Sequence, residues 1–430
     1  MGCYELLFNV RISDKYFYKI SAPEPIIFDY MKRNGLYRWI LVTALAVICS
    51  VDLTAQNTPT GLTLLEGIER VYEGTIGKDP ATFIIQTFQS NSHGENENQL
   101  VGHYYFKKDE ISYPITGKER KDGILILNLI IESNTGVAEL KPQIFQHRVH
   151  ANQSEKGYSG TFSTKNRTIQ IHIIQTYLNS NTNPSPRLAD ISLLKLNHIT
   201  AFAETNIVVA WPTDESAESK ALRAFTWENL ISLESLGEED ANTSKYVAMP
   251  AAEDVDIVVQ QMKRIDKKMQ LLSNQYLTDG TNADTNASGM QYSLDLNYKR
   301  DFSSSKFQNY SYANYQFTGG AHGLYGYTVL SMNVQTGNPI DGEKLLTPEM
   351  QSKIPALLKK YYLASQNAQL SPPSKPYKSL KDLLFVEEFP GLGPNIYCTD
   401  LGLSTFWGLY EIAPYSTGLV EVTIPWKELK

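Results

Sequence analysis

With 430 residues, 42% of them hydrophobic and 20% charged, the chain has a globular composition and the length of two domains, which excludes a disordered polypeptide. A net charge of −7 gives no basic footprint for nucleic acid or for an anionic membrane surface. The 26 tyrosines favour β-rich structure and surfaces that take sugars or proteins.

In chain order, the first feature is a targeting segment. Met31-Lys32-Arg33-Asn34 is a basic n-region, Trp39–Ile48 an apolar h-region, and Leu53-Thr54-Ala55 a cleavage site. Residues 1–55 are read as an upstream extension plus signal peptide, with the natural start at Met31. The apolar run is shorter than the roughly 20 residues a bilayer-spanning helix needs. The mature chain is therefore expected to be exported, whether periplasmic, cell-surface or secreted, with no stable membrane span. Cys3 and Cys49 fall in the removed part, so Cys398 stands alone and is expected to be a buried structural thiol.

Gln56–Ile68 reads as a short polar lead. Between residues 70 and 178 follow strands rich in β-branched and aromatic residues: VYEGTIG from Val71, then ATFIIQTF, LVGHYYF, ISYPITG, GILILNLIIES, GYSGTFST and TIQIHIIQTYL. Several carry a glycine where the strand must kink, as in Gly74, Gly102 and Gly160. The regular spacing predicts an antiparallel meander curled into a barrel or sandwich. His93, His103, His147, His150 and His172 lack a metal-ligand spacing and are read as solvated or core residues. No metal or other cofactor is expected.

Residues 179–189 read as a linker, containing Asn179-Ser180-Asn181-Thr182-Asn183-Pro184. Beyond it, residues 190–430 form the second predicted domain. Strands are expected at Ile191–Leu196 and Ile207–Pro212, and helices at Glu218–Leu236 and Ala252–Tyr276. The second helix carries an apolar stripe of Val255, Val258, Val259, Met262, Ile265, Met269 and Leu272. Its Lys263, Arg264, Lys267 and Lys268 read as a solvated face. Asp279–Gly289 lacks the Gly and Glu positions of a calcium loop and reads as a plain loop. Met290–Tyr298 alternates as a strand.

The organising stretch is Tyr310–Gly342: a tyrosine-rich strand, a turn at Gly319, Gly320 and Gly323, a second strand through Val329–Val334, and a second turn. A helix is predicted at Pro348–Ala364. Closing strands are predicted at Leu401–Phe406, Gly408–Ile412 and Gly418–Ile424.

Three motifs in this half carry a resemblance. They are Tyr315-Gln316-Phe317-Thr318-Gly319-Gly320-Ala321-His322-Gly323, then Asn333-Val334-Gln335-Thr336-Gly337, then Leu409–Gly418 followed by Val422-Thr423-Ile424-Pro425-Trp426. Together they resemble the RsiV-like C-terminal domain family, domain of unknown function 3298, over roughly 190–430. The leader junction Thr54-Ala55-Gln56-Asn57 resembles those of exported Bacteroidetes-type proteins. The resemblance implies an α/β domain outside the cytoplasmic membrane, of a kind found beside anti-sigma factors and peptidoglycan deacetylases, with lysozyme as the ligand of RsiV. The expected fold is thus α+β: an N-terminal antiparallel β-barrel or sandwich, then an RsiV-like α/β domain with an antiparallel sheet packed on helices.

The favoured expectation is a non-enzymatic binding or sensor protein for an envelope or host ligand, protein or glycan. Tyr315, Gly319, Gly320, His322, Tyr325 and Tyr415 are the expected ligand-binding residues. The alternative is a cell-wall hydrolase using His322 as a general base paired with Glu411 or Asp341. A structural envelope component is a third reading.

Overall fold

The structure is a computed structural model that describes residues 61–89, 97–131, 134–146, 154–164, 167–175, 190–233, 248–278, 291–319, 322–342, 344–368, 370 and 374–429. The leader, the 179–189 linker, the 279–289 loop, His93, His147, His150 and Gly320 lie outside the described residues.

Eight consecutive antiparallel strands close into a barrel: β1 (Gly61–Ile76), β2 (Asp79–Phe88), β3 (Glu97–Phe106), β4 (Ser112–Arg120), β5 (Leu125–Ile131), β6 (Asn134–Gln146), β7 (Ser154–Ser163) and β8 (Thr168–Gln175). Closure comes from the end of β1, where Tyr72–Ile76 pairs with Gln175–Ile171. The sequence reading missed β6. Its charged and proline-containing segment Glu139-Leu140-Lys141-Pro142 has weak strand propensity, but pairing on both sides holds it extended.

Alternation drives the barrel core. Phe83, Ile85, Leu127, Leu129, Leu140, Phe162, Ile171 and Ile173 point inward and are almost completely buried, so side chains fill the interior. Tight coiling forces close backbone approach: a Cβ at Gly160 would lie 1.9 Å from the Glu139 carbonyl oxygen.

The polar-lead reading of residues 56–68 is corrected for its described part. Gly61–Arg70 is the first half of β1, and it pairs with β9 (Asp190–Ile199). One long strand therefore serves the barrel and the next sheet together. That sheet continues through β10 (Ala203–Ala210), β11 (Tyr292–Ser303), β12 (Phe307–Phe317), β13 (Leu324–Asn333) and the two-residue β14 (Asn338–Pro339). It is antiparallel except for β10 and β11, which run parallel. Such a pair needs a crossover, and two helices lie between these strands in sequence.

These helices, α1 (Ala217–Ser232) and α2 (Val255–Thr278), pack on one face of the sheet. The apolar stripe of α2 buries Val258, Met262, Ile265 and Met269, while Lys263, Arg264 and Lys267 remain exposed. Ser216 caps α1, its hydroxyl accepting from the Ser219 amide.

At the seam between barrel and sheet, Glu69 of β1 is fully buried. It accepts from Arg300 Nε at 2.7 Å, Tyr298 at 3.1 Å and Gln86 at 3.1 Å. The Glu69 carboxylate is satisfied at both oxygens, and removing its cation would leave a buried charge.

The remaining unit packs α3 (Pro348–Ala368) against a small antiparallel sheet of β15 (Asn395–Cys398), β16 (Gly402–Trp407) and β17 (Val420–Pro425). Two expectations are corrected here. The predicted strand at Gly408–Ile412 is a turn, with Tyr410 at φ 64°, and Asn395–Cys398 is a strand the sequence reading did not predict. Four residues are too few for periodicity to show.

Candidate functional site

Alternation along the β12–β13 hairpin sorts its side chains onto two faces. Tyr310 and Tyr312 turn toward the helices. Tyr312 meets Thr226 of α1 at 2.8 Å, and Tyr310 donates to Glu218 at 2.6 Å. Asn309, Tyr325 and Tyr327 belong to the opposite face, which docks on the small sheet. There Asn309 donates to the Cys398 carbonyl at 2.9 Å, and the Tyr327 ring lies 5.3 Å from Phe406.

Between these faces lies a cavity of about 190 Å³, closed on a third side by the barrel segment Asp109–Ser112. Its walls carry Glu110 from the barrel, Asp301 from β11 and Glu421 from β17, with Tyr325, Tyr327 and Tyr397 beside them. Glu110 is one of two described non-glycine residues with positive φ, at 54°, a conformation that costs roughly 1–2 kcal/mol. Burial raises the Glu110 carboxyl to about 7, a rise that its hydrogen bond to Thr399 reduces and the nearby Asp400 adds to. Burial also raises Glu421 to about 7, although the Tyr397 hydroxyl donates to it. Asp301 is likewise raised by burial, with Lys299, Ser311 and Tyr327 opposing. Tyr327 donates to Asp301 at 2.8 Å.

Behind Asp301, Lys299 Nζ stands 3.5 Å from its carboxylate and is itself held below its ordinary value by burial. His103 of the barrel lies with Nε2 3.3 Å from the Asp301 carbonyl. Burial, then Lys299, hold it well below the ordinary histidine range, so it stays neutral. Among the described residues no group of three or more His, Cys, Asp or Glu side chains is arranged to hold a metal ion.

The sequence reading found none of the three acids. In Val420-Glu421-Val422, alternation puts the valines in the small domain's core and sends Glu421 to its outer face. That pattern reads as a solvated acid; only docking against β13 buries it.

The predicted residues form a neighbouring cluster. His322 is exposed, its Nδ1 3.2 Å from the Gly323 carbonyl and its ring stacked on Tyr415 at 4.1 Å. Tyr415 donates to the same carbonyl at 2.9 Å. A Cβ at Gly323 would fall 2.4 Å from the Tyr315 ring, so glycine lets the turn lie on that tyrosine. Tyr315 is the cross-strand partner of Tyr325, which also lines the cavity. Tyr315, His322, Tyr325 and Tyr415 are thus brought together, whereas Gly319 (φ 98°) borders Tyr292 instead. Glu411 is exposed beside Gly408, and Asp341 pairs with Lys344 at 2.7 Å. No hydrogen bond or ion pair joins His322 to either acid among the described residues.

Fold and site define a β-rich protein in which a barrel shares a strand with an α/β sheet, and that sheet docks on a small sheet-and-helix domain. Residues 343–427 of this last unit match the family model "Protein of unknown function (DUF3298)", and a DUF3298 domain therefore occupies them. The match takes in the Leu409–Gly418 and Val422–Trp426 motifs, while the motifs at Tyr315–Gly323 and Asn333–Gly337 lie upstream of it. Two solved structures are similar to part of the chain. One is a member of the DUF3298 family from Bacteroides fragilis (17% identity, TM-score 0.40, 54% of this chain and 88% of that one). The other is a DUF3298 family protein from Pseudomonas aeruginosa (17% identity, TM-score 0.33, 55% and 91%). A comparison with curated proteins finds no match. No described helix is long and apolar enough to cross a membrane.

Proposed function

We propose that this is an exported, non-enzymatic binding or sensor protein that recognises an envelope or host ligand, a protein such as lysozyme or a cell-wall glycan. One observation carries the reading: an aromatic surface of Tyr315, His322, Tyr325 and Tyr415, flanked by exposed Tyr410, runs into a tyrosine-lined cavity. Rings with polar tips and an adjoining concavity suit recognition of sugars and of protein surfaces. His322 serves this surface by stacking, and the turn that carries it is fixed to Tyr415 through the Gly323 carbonyl.

The test is capture of lysozymes and of peptidoglycan fragments by the purified protein, with turnover assayed in the same tubes. Saturable binding without turnover, lost in Tyr415→Ala with unchanged thermal unfolding, is the expected result. Turnover abolished by His322→Ala in a folded variant would overturn this reading in favour of a hydrolase.

A further inference from the structure

We propose that the cavity between barrel, hairpin and DUF3298 sheet is a binding site for a primary alkylammonium group, such as a lysine side chain or a free amine. This rests on the recognition reading above and names the chemistry of its ligand.

Four acidic residues, Asp109, Glu110, Asp301 and Glu421, line one cavity from three separate units, and none of the described residues lining it is Lys, Arg or His. A second, independent observation is the Ser112 hydroxyl, which lines the same cavity. Its residue is 8% exposed and the oxygen has no hydrogen-bond partner among the described residues. A buried hydroxyl left without a partner costs about 1–3 kcal/mol, and a ligand N–H would satisfy it. An ammonium has three donors to distribute among hydroxyl and carboxylates, and tyrosine faces attract such a cation.

The surroundings set a pH dependence. Glu110 faces Asp109 and Asp400, Glu421 faces Tyr397 and Asp301, and Asp301 faces Tyr327 and Lys299, with neutral His103 behind. Glu110 and Glu421 hold their protons to about pH 7 in the free protein. An alkylammonium stays charged to above pH 10 and would draw those protons off. If one such carboxyl must ionise, the competent fraction rises from about a tenth at pH 6 to about nine-tenths at pH 8, and affinity rises about tenfold.

The test is isothermal titration of the full protein with n-butylamine, Nα-acetyl-lysine N-methylamide and the uncharged Nε-acetylated form of the latter, at pH 6 and pH 8. Saturable binding of the charged compounds alone, tighter at pH 8 and releasing protons at pH 6, is expected. Binding of the lysine derivative tighter than butylamine assigns the group to a peptide or protein, and equal binding to a free amine. Glu421→Gln should cost at least tenfold in affinity, and Ser112→Ala less. Equal binding of the acetylated form, affinity that falls with pH, full affinity in folded Glu421→Gln, or no amine binding at all would each overturn the proposal. Envelope-ligand capture through Tyr415 without amine binding would retire the ammonium site and leave the recognition reading standing. Amine binding without capture would do the reverse.

Discussion

Two interiors lie side by side in this protein, and they are built on opposite principles. The barrel interior is enclosed by strands adjacent in sequence and filled by Phe83, Leu127, Leu129, Phe162 and Ile171. The cavity beside it is enclosed by segments far apart in the sequence, residues 109–112 of the barrel, 301–329 of the hairpin sheet and 397–423 of the small-sheet unit, and it holds Glu110, Asp301 and Glu421. The first interior gains from every side chain it buries. The second keeps carboxyl groups away from water, which opposes their ionisation. Stability accounts for the first alone; groups held away from their ordinary titration range in a cleft mark a candidate site.

Of the two interiors, the barrel is the more sensitive to substitution. Gly160→Val places side-chain atoms where the Glu139 carbonyl stands, and we expect a loss of about 4 kcal/mol or more, read by urea unfolding. A Gly160→Val variant with wild-type stability would show that the strands are not so closely coiled.

Next in size is the seam. Arg300→Met leaves the Glu69 carboxylate buried without its cation, at an expected cost of about 3–5 kcal/mol. The double variant Glu69→Leu/Arg300→Met should recover much of that loss, and no recovery would mean the pair does more than satisfy itself.

The cavity gives a smaller effect, and it depends on pH. Glu421 is raised to about 7 in the folded protein against an ordinary 4.5, so its contribution to stability is whole below about pH 4.5 and lost as pH rises through about 7. Glu421→Gln cannot ionise and should flatten the fall in Tm between pH 5 and pH 8; an unchanged slope would place the titration elsewhere. Smallest is the chemistry of Cys398, a fully buried thiol pushed up to about 12, chiefly by burial. It should resist thiol reagents in the native protein and react at once in denaturant.

What could be read from the sequence was what lies in short-range pattern. The Leu127-Asn128-Leu129 alternation announces a half-buried strand, the continuous apolar run Phe83-Ile84-Ile85 a strand buried on both faces, and Val258, Met262, Ile265 and Met269 one helix face, because periods of 2 and 3.6 residues are local properties. The motifs at Leu409–Gly418 and Val422–Trp426 likewise lie within the residues matched as a DUF3298 domain. Tyr315, His322, Tyr325 and Tyr415 were singled out by composition and motif, and the fold brings these four together.

The tertiary structure alone decided the rest. That Gly61–Arg70 is a strand shared by two sheets depends on a partner, β9, more than a hundred residues away. That Glu110, Asp301 and Glu421 line one cavity depends on how three surfaces dock, Glu110 coming from the β3–β4 connection, Asp301 from the register shift in β11 and Glu421 from the outer face of β17. Periodicity reports which face of an element is apolar. It carries no information on what another part of the chain will lay against the polar face, and in this protein that contact makes the candidate site.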